Sequence, residues 1–249
     1  HRKGVVLMIQ EKKIKKILPQ IKKLTTSKTP VLHIGEQGTR KRVIAELIHA
    51  QGCPSGSPLV RFDCSLIGEA EMHEGLIGEQ GQGGSWTEQA KGGTLYLEQI
   101  NAMPLPVQKA LVGVLRAAGT SFRLCCSSTE DLEKLIDQGK FHDELFYRIA
   151  ALPLMLPSLR ERIEDLPQLV KNFATSAKNP NFDTKQVEFE PEALAVLSSY
   201  RWPGNISELS QGVAGVVAEA DAKVITAAQL PERLKDMKDW PTLEAHLEQ

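Results

Sequence analysis

Short apolar runs that alternate with amphipathic segments limit what this chain can become more than any other feature. Four runs, PVLHIG, PLVRFDC, GTLYLEQI and SFRLCCSS, each give way to a turn or a polar stretch. Helical spacing fills the gaps between them, as in RKRVIAELIHA and LPVQKALVGVLRAAG. The second of these puts Val107, Leu111, Val114 and Leu115 on one face. Strands alternating with helices predict an α/β fold, a mostly parallel sheet covered on both faces. After about Arg162 the strand pattern stops, and EDLPQLVKNFATSA, PEALAVLSSY and ISELSQGVAGVVAEA read as helices. The expected division is a basic helix or linker over 1–28, an α/β part over 29–162, and a small all-helical part over 163–235. Residues 236–249 are expected to form a linker towards a further domain.

Composition narrows the class. With 249 residues, 41% hydrophobic and 24% charged, the chain has enough apolar material for a core and reads as a soluble globular protein. No apolar run reaches the roughly 18 residues that a membrane span needs, and the charged N-terminus does not read as a signal peptide. Cys53, Cys64, Cys125 and Cys126 lack paired C-x-x-C spacing, which argues against zinc. Cys125 and Cys126 read as buried thiols of a reducing cytoplasm. The net charge of −1 exerts no overall pull on DNA, but residues 1–28 hold nine Lys or Arg against the single acid Glu11. That segment is either a solvated helix face or a local contact for an anion or nucleic acid. Its apolar positions Ile14, Ile17, Leu18 and Ile21 follow helical spacing over residues 9–23.

VLHIGEQGTRKRVIAELI comes close to a phosphate-binding loop. Such a loop needs a strand, a turn whose backbone N–H groups face inward, and a helix N-terminus that favours anions. Val31–Ile34, then Gly35, Glu36, Gln37, Gly38, Thr39 and Arg40, then a helix from Lys41 supply that order. Lys41 is expected to reach the outer phosphates. Arg40 replaces the second glycine, which ought to hinder the turn and the approach of phosphate. Arg42 stands where many such loops place Ser or Thr for magnesium. The TRKR cluster is thus either an anion site or a decayed loop with solvated arginines. The companion element, an apolar strand ending in two acids, is GGTLYLEQI. It ends in Glu98, which is open to a role in orienting magnesium, and Gln99. An amide is no base at neutral pH, so a general base at Gln99 is lost.

Taken in order, these segments resemble the AAA+ domain of NtrC-type bacterial transcription activators, which work with the sigma-54 form of RNA polymerase. HIGEQGTRKR is similar to the Walker A segment, and GGTLYLEQI to Walker B with NAMPLPVQKALVGVLR as the helix behind it. FHDELFYRIAALPLMLPSLRERIEDLPQLV and YRWPGNISEL are similar to the family's signature stretch and sensor II segment. The resemblance implies a three-layer AAA+ P-loop domain followed by a helical lid. It also implies a nucleotide site at Gly35–Arg42, with sensor positions at Thr129 and Ser207. His142 and Arg148 fall at the two arginines offered across a ring interface. Several of these positions depart from the family pattern: Arg40 for glycine, Glu98–Gln99 for Asp-Glu, Thr129 for asparagine, and His142 and Ser207 for arginine. The GAFTGA loop is absent, and only Glu79 to Lys91 separate Gly78 from Gly92.

Losing several groups that stabilise charge on a transferring phosphate is hard to reconcile with turnover. The resemblance therefore implies a degenerate, VpsR-like regulator with its motor disabled. It would form homo-oligomers between dimer and hexamer and bind ATP or ADP with magnesium, or cyclic di-GMP. DNA contact would come through a missing C-terminal domain, and RNA polymerase contact by a route other than sigma-54. An active ATPase using Lys41, Glu98 and Arg148, and a ligand-free scaffold, are the other two readings. Plain roles stand beside the special ones: a surface histidine at His142, a carboxylate partner for Arg148, a packed aromatic at Trp86, and structural ion pairs for Arg160 and Arg162.

Overall fold

A computed structural model describes residues 12–27, 29–78, 84–117, 121–151 and 153–235. Expectations for residues 1–11, for part of the shortened loop at 79–83 and for the 236–249 linker lie outside the described residues. The chain divides into two compact units between Pro157 and Ser158.

The first unit is built on a five-stranded sheet of β1 (Val31–Ile34), β2 (Leu59–Asp63), β3 (Thr94–Glu98), β4 (Arg123–Ser128) and β5 (Pro153–Met155). Its order is β2-β3-β4-β1-β5. All pairings are parallel, with Tyr96 opposite both Arg61 and Cys125, and Val31 also opposite Cys125. A parallel sheet with both faces covered calls for continuous apolar runs. Leu95, Tyr96 and Leu97 are buried without a break, as are all six residues of β4. β5 was not expected. It is three residues long, begins at Pro153 and is followed by Pro157, too short for a period to register.

Helices α1 (Lys12–Thr26), α2 (Lys41–Gly52), α3 (Glu69–Ile77), α4 (Trp86–Gln89), α5 (Leu105–Ala117), α6 (Leu132–Asp137) and α7 (Asp143–Ile149) complete this unit. Ile21 and Leu24 of α1 join Ile44, Leu47 and Ile48 of α2 in one buried cluster with Val31 and Tyr96. The opposite face gathers Met72, Leu76, Val107, Leu111, Leu145 and Ile149 around Leu95 and Leu97. On α5, Val107, Leu111 and Val112 are buried, whereas Val114 and Leu115 are only half-buried, so the stripe is rotated from its expected line. Trp86 is a packed aromatic. Its ring stacks on Phe62 with centroids 3.6 Å apart, and a Cβ at Gly75 would stand 2.1 Å from it.

One buried cation fastens the sheet to its surroundings. Arg123, at the start of β4, donates to the carbonyl oxygens of Ile48 (3.1 Å), Thr25 (3.0 Å) and Ser27 (2.6 Å). The C-terminal ends of α1 and α2 are thereby tied to the same strand.

The second unit is mainly helical: α8 (Leu166–Ser176), α9 (Pro191–Ser199), α10 (Asn205–Glu219) and α11 (Glu232–Lys235). Leu166, Leu169, Val170 and Phe173 bury one stripe of α8 against Leu209, Val213 and Val217 of α10. Contrary to the all-helical expectation, it also holds two paired parallel strands, β6 (Glu188–Phe189) and β7 (Val224–Ile225). Two-residue strands are below the length at which alternation can be read. Among the described residues, no helix is long and apolar enough to cross a membrane.

Candidate functional site

The turn from β1 into α2 is closed from within. Gly35 N donates to Ser128 O (3.2 Å), and Thr39 donates to Glu36 O through its hydroxyl (2.8 Å) and its amide (3.4 Å). Gly35 cannot carry a side chain, since a Cβ would stand 2.7 Å from Leu156 O. Gly38 takes a left-handed φ of 79°. Arg40 does so too, at φ 67° and ψ 33°. A residue with a Cβ gives up about 1 kcal/mol there. The expected hindrance therefore does not break the turn, because Arg40 adopts the glycine-like torsions itself. Its carbonyl accepts the first helical bonds from Val43 N (3.0 Å) and Ile44 N (3.4 Å).

Lys41 is turned back onto this loop. Its Nζ donates to the carbonyl oxygens of Gly35 (2.6 Å) and Glu36 (2.9 Å), and the residue is only 8% exposed. Burial brings its pKa down to about 8, against the opposing pull of the Glu98 and Glu36 charges. A bound phosphate must compete with those two carbonyls for the ammonium. Behind the loop lies His33, fully buried, with neither ring nitrogen hydrogen-bonded among the described residues. Burial first, and the Lys41 charge second, push its pKa down to about 3, so it is neutral at ordinary pH.

Arg42 and Glu98 belong to a four-charge cluster. Arg42 Nε lies 3.6 Å from Glu46 Oε1, and Arg61 NH1 lies 3.8 Å from the same oxygen. Arg61 Nε is 3.4 Å from Glu98 Oε1. Burial raises the Glu98 pKa, while the Arg61 and Arg42 charges hold it back. Sequence reasoning overlooked Arg61. The parallel register sets Asp63 opposite Glu98 and Arg61 one pleat before it on the same face, and no linear pattern carries that pairing. A lone arginine inside the apolar run PLVRFDC was the available signal.

Gln99 sits at the end of β3 with a left-handed φ of 53°. Its amide is engaged at both ends. Nε2 donates to Gln37 Oε1 (3.0 Å), and Oε1 accepts from the Thr129 hydroxyl (3.0 Å). Loop, β3 and β4 are thus linked through one side chain. Asn101, also overlooked, brings an asparagine amide to the same corner. Its Oδ1 accepts from Ser128 Oγ (3.2 Å) and Thr129 N (3.4 Å), and its Nδ2 donates to Glu130 Oε1 (2.7 Å).

The structure therefore brings together Gly35, Glu36, Gln37, Gly38, Thr39, Arg40, Lys41, Arg42, Glu98, Gln99 and Thr129. His142 and Arg148 lie apart from that corner, His142 as the N-cap of α7 and Arg148 within it. His142 N donates to Gln108 Oε1 (2.7 Å), and its Nδ1 is 3.4 Å from Asp143 Oδ1. Arg148 donates to Glu144 Oε1 through Nε (3.1 Å) and Nη2 (2.9 Å). Arg116 binds the same carboxylate, and the hydrogen bonds from Arg116 and then Arg148 hold Glu144 below its usual pKa. Ser207 is exposed on α10 in the second unit. In that unit Trp202 is buried with Nε1 donating to Leu197 O (2.8 Å). Asn205 Oδ1 accepts from Leu159 N (2.8 Å).

Known proteins share this organisation. Residues 7–155 match the family described as the sigma-54 interaction domain, and residues 160–245 match the AAA+ ATPase lid domain. The DNA-binding transcriptional regulator NtrC of Rhizobium meliloti (strain 1021) is 31% identical over 262 residues, covering 97% of this chain and 54% of that protein. The crystal structure of NtrX from Brucella abortus in complex with ATP superposes with a TM-score of 0.79 at 26% identity, covering 90% of this chain and 56% of that one. NtrX in complex with ADP gives a TM-score of 0.80 at 26% identity, over 94% of this chain and 56% of that one. The chain spans about half the length of the relatives it matches.

Proposed function

The chain belongs to the sigma-54 interaction domain family of AAA+ proteins, and from that premise we propose that its P-loop face binds a phosphate-rich ligand without hydrolysing it. ATP and ADP are the first candidates, since a relative is solved with each. Cyclic di-GMP, the ligand of the VpsR-like type, is the alternative. The site comprises Gly35 to Arg42, with Thr129 as a sensor position and Gln99 in the place of the general base. The helical unit serves as lid, with Ser207 in its sensor position. Ligand binding regulates homo-oligomerisation of a transcription regulator that contacts DNA through another domain. The missing GAFTGA sequence supports an RNA polymerase contact that does not pass through sigma-54.

One observation carries the proposal: the amide of Gln99 is a strut between Gln37 and Thr129. It has no basic lone pair for a water proton, and both of its ends are engaged. The pairing of Arg148 with Glu144 supports the same reading, because an arginine reaching a neighbouring subunit's phosphate would first have to leave that carboxylate. The test combines calorimetric titration of ATP, ADP and cyclic di-GMP with sedimentation and an assay of phosphate release. The expected result is saturable binding of one ligand, a change in oligomer size, and no release above background. Magnesium-dependent turnover that Lys41→Ala abolishes would falsify the proposal. Binding should also take up a proton near pH 8, since an anion restores the charge of a lysine whose pKa burial has lowered to about 8. That uptake appears as a dependence of the binding heat on the buffer's own ionisation heat.

A ligand-free scaffold is the second reading. The two hydrogen bonds from Lys41 Nζ to its own loop favour it, because they satisfy the cation without phosphate. It predicts no heat with any of the three ligands and no change in assembly.

A further inference from the structure

We infer that this site takes its ligand as a metal-free polyphosphate anion, with the guanidinium groups of Arg42 and Arg61 supplying the positive charge that a divalent cation would otherwise bring. The inference rests on the reading of the P-loop face as a phosphate site and says in which form the phosphate is held.

Magnesium demands a near-octahedral shell of oxygen donors at roughly 2 Å and is usually held through carboxylates, hydroxyls and waters. The donor set here does not suit it. At the position that P-loops use for a magnesium-binding hydroxyl stands Arg42, which brings a full positive charge and no oxygen. The strand-end carboxylate, Glu98, has Arg61 Nε 3.4 Å from its Oε1. Among the described residues there is no group of three or more His, Cys, Asp or Glu able to hold a metal ion. A divalent cation at Glu98 would be repelled by the Arg61 and Arg42 charges, both of which act on that carboxylate.

The same arrangement suits an anion. Arg42 and Arg61 converge on one oxygen, Glu46 Oε1, at 3.6 and 3.8 Å. Those distances exceed hydrogen-bonding range, so the Arg42 donors and Arg61 NH1 can turn to a stronger acceptor at little cost while Arg61 Nε stays on Glu98. Both side chains are about half exposed, at 53% and 44%. Arg42 also sits in the first turn of α2, beside Lys41, where the backbone N–H groups favour negative charge. Guanidinium groups bind phosphate oxygens through paired donors, which a hydrated metal cannot imitate. Free ATP is more negative than its magnesium complex, and a site that carries its own cations should prefer the more negative form.

The experiment is calorimetric titration of ATP into the protein in magnesium buffer and again in EDTA at matched ionic strength. The comparison is repeated on Arg42→Ser, Arg61→Gln and the double variant, each checked for fold by circular dichroism. The expected result is binding at least as tight in EDTA as in magnesium. Each single variant should weaken the metal-free complex about tenfold, the loss of one charge-assisted contact. The double variant should lose its preference for free ATP. Binding that needs magnesium overturns the inference and leaves the phosphate-site reading standing. Equal metal-free affinity in the wild type and the double variant also overturns it. Absence of ATP binding in both buffers overturns the inference, and the phosphate-site reading falls with it only if ADP and cyclic di-GMP also give no heat.

Discussion

Two regions of this molecule hold residues with side chains in the left-handed backbone region, and they manage the strain differently. In the second unit, Trp202 (φ 52°) and Asn205 (φ 51°) are completely buried. The indole N–H reaches Leu197 O, and the Asn205 amide caps Leu159 N. In the first unit, Arg40 (φ 67°) and Gln99 (φ 53°) are only half-buried, and what holds them is the bonding of the loop around them. Strain in the helical unit is fixed by packing, so it belongs to the fold. Strain at the P-loop is held by a few polar contacts, which a ligand can rearrange. The WPGN segment is therefore a structural feature of the helical unit. The P-loop turn holds its course with Arg40 in the left-handed region.

The largest test of this contrast is Trp202→Ala. Truncating a buried tryptophan should cost about 3–5 kcal/mol, read as a shift in urea denaturation of the helical unit. A loss below about 1 kcal/mol would erase the contrast. Asn205→Ala comes next, at about 1–3 kcal/mol, because Leu159 N is left buried without its acceptor. Comparable in size is a pH effect that sharpens the picture of the first unit. The folded pKa of His33 is about 3, below the 6.5 of a free histidine. As pH falls below 6.5 the unfolded chain takes up a proton that the folded chain refuses, so stability drops. The slope steepens from near zero above pH 7 towards about 1.4 kcal/mol per pH unit well below 6.5, and the loss reaches about 2 kcal/mol by pH 5. Denaturation midpoints between pH 7 and 5 should show this slope, and His33→Phe should flatten it. Smallest is Arg40→Gly, expected to raise thermal stability by about 1 kcal/mol, since glycine accepts the left-handed torsions without penalty. If Arg40→Gly destabilises instead, side-chain contacts of Arg40 hold the loop, and the two regions are more alike than described.

Much of the fold was legible because it depends on local pattern. β1, β3 and β4 are runs buried almost throughout, β2 is a half-buried run, and α5 and α8 carry stripes at helical spacing. β5 and the β6–β7 pair were not, because two or three residues cannot show a period and only their neighbours make them strands. The site was legible as an order of segments along the chain. Illegible were the facts that depend on which strand lies beside which. Arg61 meets Glu98 through the parallel pairing of β2 with β3, and Asn101 reaches Thr129 through the neighbouring end of β4. The backward turn of Lys41 was equally hidden, because the sequence states its reach but not its nearest acceptor.

In mechanical terms, β4 is a strut. At its base, Arg123 grips the carbonyl ends of α1 and α2 from the interior of the sheet. Its tip runs through Ser128 to Thr129, where the Gln99 amide is held. An extended strand stretches very little, about 3.3 Å per residue and close to its limit. The end of α1 and the P-loop corner are therefore fastened to the two ends of one short strand. The charged residue at the foot of β4 works as a rivet, and the strand it fixes has its far end at the P-loop corner.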